Sequence, residues 1–143
     1  MPQRLSLRPA ALLALLLAAC AAPAPPAVDP RLAGISLRAP PADVISAQRL
    51  DRQRLDSGGD LQVTPGAHEL EVRYQYDARQ GSGLFGEPRR VVCELRLRYD
   101  HFAAGQRYRL EVQPLAFKAQ GWLYGPDSDE PLTRAQVVRC RPF

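Results

Sequence analysis

Residues able to do chemistry are few in this chain, and they are scattered. His68 and His101 are its two histidines. His68 follows a turn on the apolar side of a strand pattern, where a packed imidazole bonded to backbone is expected. His101 falls in a link between strands with no second ligand within sequence reach. Asp127, Asp129 and Glu130 crowd three carboxylates together. They lack the spaced carbonyl and glycine positions of a calcium loop, so a solvated turn is the expectation. There is no nucleophile elbow, paired-histidine metal motif or phosphate-cradling loop. No catalytic residue, metal or cofactor is assigned.

Two sets of residues are better suited to recognition than to catalysis. Leu84 and Phe85 lie between glycines in Gly81-Ser82-Gly83-Leu84-Phe85-Gly86, with Arg79, Arg89 and Arg90 nearby. Loop tips are normally polar, so this pair suits insertion into a partner's groove or a bilayer surface, the arginines meeting anionic groups. The competing reading folds the loop back over the domain edge and buries both. Trp122, Tyr124 and Tyr76 offer the second set, a stacking platform for a small ligand or glycan.

Strands must position these groups. His68, Leu70, Val72, Tyr74 and Tyr76 alternate with Glu69, Glu71, Arg73 and Gln75, the period-two pattern of a half-buried strand. Val91, Cys93, Leu95, Leu97 and Tyr99 repeat it, and Tyr108, Leu110 and Val112 repeat it again. The link Asp100–Gln106 is expected to join those last two as an antiparallel hairpin. Ile35–Leu37 is a short candidate strand, Val44–Leu50 and Gln53–Leu55 are weakly patterned as a candidate first hairpin, and Leu61–Val63 leads into the tight turn Thr64–Ala67. Phe117–Tyr124 and Gln136–Cys140 are two further strands. Helical periodicity is nowhere sustained. The fold expected is all-β, a small antiparallel β-sandwich of six to eight strands.

The N-terminus has a separate logic. Arg4 and Arg8 precede an apolar run from Ala10 that closes on Leu17-Ala18-Ala19-Cys20. A charged start, a short apolar core and small residues before a cut site make a secretory signal peptide. The run is too short to span a bilayer, which takes about 20 apolar residues. Leu-Ala-Ala-Cys resembles the lipobox of bacterial lipoproteins. That resemblance implies cleavage after residue 19 and acylation of Cys20, and Ala21 behind it implies export to the outer membrane, facing the periplasm. An ordinary signal peptide with a chance cysteine is the competing reading. Residues 20–34 then form a Pro- and Ala-rich tether. Its extended part, Ala21 to Pro30, reaches up to ~30 Å at roughly 3.1 Å per residue. Residues 35–143 form the domain.

With Cys20 taken by lipid, Cys93 and Cys140 remain as an even pair in an oxidising compartment, and a disulfide between them follows. Two separate buried thiols are the alternative. Two distant cysteines are too few for a metal site. Removing 19 of 143 residues, Arg4 and Arg8 among them, leaves 17 basic against 15 acidic residues, a formal charge of +2. So small a charge on an exported protein argues against nucleic acid as a partner. The arginines alternate with apolar residues along strands, as on a solvated sheet face.

Val63-Thr64-Pro65-Gly66-Ala67-His68-Glu69-Leu70-Glu71-Val72 is similar to the Pro-Gly-x-His hairpin of PEGA-type domains and related small envelope lipoproteins. Phe102-Ala103-Ala104-Gly105-Gln106-Arg107-Tyr108 and Gly121-Trp122-Leu123-Tyr124 resemble two further elements of such modules. The resemblance implies an all-β envelope module with no catalytic residues to transfer. The expected function is non-enzymatic: a lipid-anchored domain presenting one face or loop to another envelope protein or a glycan.

Overall fold

The computed structural model describes residues 26–56, 58–79 and 86–143. Among them are nine strands and no helix: β1 (Ala33–Arg38), β2 (Val44–Leu50), β3 (Gln53–Arg54), β4 (Leu61–Val63), β5 (Gly66–Arg79), β6 (Pro88–Phe102), β7 (Arg107–Leu115), β8 (Lys118–Tyr124) and β9 (Pro131–Pro142). The all-β expectation holds. The strands number nine where six to eight were expected.

All nine strands belong to one sheet, in the order β3-β2-β5-β6-β9-β8-β7-β1-β4. Pairing is antiparallel except between β1 and β7, which run parallel. The long β9 pairs with β6 through its second half and with β8 through its first. Across it the sheet folds over, so that the two halves enclose one core. Tyr74, Val72, Leu70, Leu95 and Leu97 enter that core from β5 and β6, while Leu110, Val112 and Leu123 enter from β7 and β8. Each is the apolar member of an alternating strand, which is why period two turns directly into two faces. Tyr76 ties the halves together: its hydroxyl lies 2.7 Å from the carbonyls of both Ala116 and Lys118.

The sheet is not closed, and its open seam between β1 and β2 is covered by the segment leading to β4. There Gly58 accepts a hydrogen bond from Ala47 N, and Asp60 Oδ1 accepts one from Leu37 N at 2.8 Å. Otherwise unpaired edge groups are satisfied in this way.

The chain departs from expectation in three connections. β6 does not form a hairpin with β7; its neighbours are β5 and β9. The link after Phe102 carries the chain across to the other half, turning at Gly105 (φ 74°). Tyr108 fixes this corner, its hydroxyl accepting from Ala103 N at 2.9 Å and lying 3.3 Å from the His101 carbonyl. Second, the β5–β6 ladder continues to Arg79 opposite Pro88, so Arg89 and Arg90 are strand residues and not part of a free tip. Third, the described part of the tether is not free. Arg107 donates to the Pro26 carbonyl at 2.7 Å, Asp29 N donates to Gln62, and Gly105 N donates to the Leu32 carbonyl. Val28 lies over Gly34, where a Cβ would come within 2.7 Å of a Val28 methyl carbon. The folded body therefore begins ahead of residue 35.

Candidate functional site

The disulfide is formed. Cys93 and Cys140 sit directly opposite one another on β6 and β9, with S–S 2.03 Å and Cα–Cα 4.1 Å. Cys93 is fully buried and Cys140 partly so. The bond crosses neighbouring strands where the two halves of the sheet join. Cys20, Leu84 and Phe85 lie outside the described residues. Arg90 pairs with Asp77 across the ladder at 3.3 Å, and Arg89 is exposed opposite Ala78.

The aromatic platform does not assemble as expected. Tyr76 is buried, 4% exposed and stacked on Tyr74 with ring centroids 5.2 Å apart. Its place in the alternation, on the same side as Val72 and Tyr74, already assigned it to the core. Trp122 and Tyr124, two residues apart on β8, do share the outward face. Each is covered by an arginine that the sequence reading missed. The Arg134 guanidinium lies 4.9 Å from the Trp122 ring centroid, and that of Arg109 lies 4.8 Å from the Tyr124 centroid. Arg134 stands opposite Trp122 on β9, and Arg109 opposite Tyr124 on β7, so register places both contacts. Arg109 is further held by Glu111. The result is a cation–π array across three strands, with one face of each ring occupied by a guanidinium.

Beside it, on the outer surface of β1 and β7, the docked tether walls a groove of about 530 Å3. Val28, Leu32 and Leu61 line it, with Arg107 and Asp60 at its margins.

His68 takes the packed role expected of it. Its Nδ1 lies 2.6 Å from Asp51 Oδ2, and its Nε2 lies 2.8 Å from the Thr64 carbonyl. Thr64 Oγ1 is 3.1 Å from the same Nε2. The order carboxylate, imidazole, hydroxyl is that of a nucleophile with its base. Here, however, Nε2 is closer to the backbone carbonyl than to the hydroxyl, so the set works as a staple for a turn. Asp51 and Arg52, at φ 49° and 70°, occupy the left-handed region that a two-residue type I′ hairpin loop requires. Asp51 Oδ1 accepts from Glu69 N at 2.9 Å, fixing this turn to β5. Burial opposes the Asp51 charge, but that backbone N–H and His68 outweigh it and lower its pKa.

Tyr74, Tyr76 and Tyr99 are shifted the other way. Burial raises both Tyr74 and Tyr76, and Tyr74 also donates to Asp43, whose charge disfavours a phenolate. Both remain neutral donors that bind elements together. Asp127, Asp129 and Glu130 lie in and beside the exposed β8–β9 turn, where Asp129 reaches Arg109 at 4.0 Å. Among the described residues no three His, Cys, Asp or Glu side chains gather closely enough to hold a metal ion.

No protein family model, curated protein or solved structure matches this chain.

Proposed function

We propose that this protein is a non-enzymatic lipoprotein of the cell envelope, anchored through Cys20 to the outer membrane on its periplasmic side, and that its β domain is an interaction module. One observation carries the reading. The chain has three cysteines, and Cys93 and Cys140 are joined to each other. The remaining thiol, Cys20, stands where an apolar leader ends in Leu-Ala-Ala, the place at which a lipobox cysteine is acylated. Two or more acyl chains hold a protein firmly to a bilayer where one does not. A disulfide-bonded all-β body also suits an oxidising compartment. The PEGA-like hairpin around Pro65-Gly66-Ala67-His68 supports the same assignment.

The test is the mature N-terminus. Mass spectrometry of the membrane-extracted protein should find Cys20 as the first residue, carrying acyl groups, and Cys20→Ser should release a folded domain into the soluble fraction. An unmodified Cys20, or a Cys20→Ser protein that still sediments with membranes, would contradict the proposal.

The outward Trp122 and Tyr124 favour a second reading, a glycan-binding face on β7–β8–β9. Sugar binding would have to displace Arg134 from the indole. Titration with envelope-derived oligosaccharides should then shift the emission of Trp122, the only tryptophan in the chain.

A further inference from the structure

The outer face of the other half, β3-β2-β5-β6-β9, holds a second and differently built site. Two rows of charged side chains run across these strands. Register sets Arg54 opposite Arg49, Arg49 opposite Glu71, and Glu71 opposite Arg96. The neighbouring row sets Arg73 opposite Glu94, and Glu94 opposite Arg139. Both flanking strands are irregular at this level. β2 shifts register between Ala47 and Arg49, and the β6–β9 ladder shifts between Glu94 and Leu95. The residues left over by these bulges, Gln48 and Val138, form opposite rims of a depression of about 380 Å3. Bulges bend a strand and re-aim its side chains, and they gather next to binding sites.

Charge within this dish is unbalanced. Five arginines line it against two glutamates, Glu71 and Glu94. Both carboxylates are already engaged: Arg139 donates to both oxygens of Glu94 at 2.8 and 2.6 Å. Glu71 receives Arg96 at 3.0 Å and Arg49 at 3.4 Å. Arg54 and Arg73 make no ion pair among the described residues. Arg96 Nε is shut from solvent without a hydrogen bond, 3.4 Å from Glu69 Oε1 in an ion pair. Each carboxylate oxygen of Glu71 and Glu94 already faces an arginine, whereas Arg54 and Arg73 face no carboxylate within ion-pair distance among the described residues.

We infer that this dish is an anion-binding site for a doubly charged oxyanion, held by Arg54 and Arg73 with Gln48 at the rim. The planar fork of arginine pairs two N–H groups with two oxygens of a phosphate or carboxylate, so two free guanidiniums suit a dianion. A depression of this size falls in the range of small-ligand sites, roughly 300–1,000 Å3. Glu71 and Glu94 hold Arg49, Arg96 and Arg139 in place and keep the field local to the two free cations. The inference stands without the lipid anchor, because every residue in it belongs to the folded body.

The test is a titration of the full chain, purified in detergent, with inorganic phosphate and separately with succinate at constant ionic strength. Binding is read from the arginine Nε–Hε resonances. A saturable response confined to dish arginines is expected. Arg54→Ala with Arg73→Ala should weaken it at least about tenfold, which corresponds to the loss of a charge-assisted hydrogen bond or more. Both side chains are exposed, so folding should survive, and an unchanged melting temperature checks this. Glu94→Gln removes a competing acceptor and should tighten binding. A response to phosphate alone identifies a phosphate-bearing ligand, and one to succinate alone a paired carboxylate. If shifts follow ionic strength without saturating, or the double variant titrates like the parent protein, the face is an ordinary solvated ladder and the inference falls.

Discussion

On the β7–β8–β9 side of the molecule, Arg109 and Arg134 lie over Tyr124 and Trp122. On the β2–β5–β6 side, Arg49, Arg96 and Arg139 lie against glutamates, and Arg54 and Arg73 against neither. Both faces arise from the same alternation of apolar and polar residues. They differ in what stands opposite each arginine, and that depends on register. An aromatic ring covered by its own arginine presents a closed surface. A dish in which five arginines meet two glutamates leaves donors for something else.

The most drastic way to break this contrast is to loosen the join between the faces. Cys93→Ala with Cys140→Ala frees the crossing at β6–β9; for residues 47 apart in sequence the chain-entropy model predicts a loss of about 4 kcal/mol. Urea unfolding should show it as a lower midpoint. Unchanged stability would mean that the strand ladder alone holds the halves.

Gly121→Val probes the interior between the faces. A Cβ there would lie 3.2 Å from the Ala135 Cβ and 3.3 Å from both Leu95 and Val112. Overpacking should cost about 1–3 kcal/mol, and thermal melting measures it.

Arg134→Ala sharpens the comparison from the aromatic side. Stability should fall by no more than about 1 kcal/mol, as for an exposed cation–π pair. The lone indole should become more solvent-exposed, read as a red-shifted emission and easier quenching by iodide. A silent substitution would show that Arg134 does not cover Trp122 in solution.

The smallest effect belongs to the charged rows. The side-chain hydrogen bond from Arg139 lowers the Glu94 pKa below its ordinary 4.5. Because the folded value is the lower one, the stabilisation is present above that ordinary value and fades as pH falls below it. Both groups are solvent-accessible, so screening keeps the energy small. Arg139→Gln should lower stability slightly at neutral pH and leave it unchanged in acid, so that the acid limb of the stability profile flattens. An acid limb identical to that of the parent protein would count against this pair.

How much of this was legible in the sequence varies with the range of the interaction. Alternation is local, so the inward and outward sides of β5, β6 and β8 could be read directly. Parity alone separated buried Tyr76 from outward Trp122, although the stacking reading grouped them. Neighbour order was not legible. The chain after Phe102 turns a corner at Gly105 and Tyr108 where a hairpin was expected, and nothing local distinguishes the two outcomes. The arginine rows were visible as residues but not as pairs, since bulges at Gln48 and Val138 decide which charge meets which. The docking of Pro26 and Val28 depends on Gly34 and Arg107, and Arg107 lies some eighty residues away.

The parallel pairing of β1 with β7 has a consequence in time. Ile35 meets Tyr108 across more than seventy residues. Closing a loop of that length costs roughly 4 kcal/mol plus a constant before any contact repays it, and such distant pairings slow folding. A chain delivered from its N-terminus presents β1 first, yet β1 can take its position between β4 and β7 only after β7 has emerged. Until then Ile35 and Leu37 have no completed core to enter. The first strand made therefore waits for the seventh, and the clasp of Arg107 on Pro26 can close only once that strand is present.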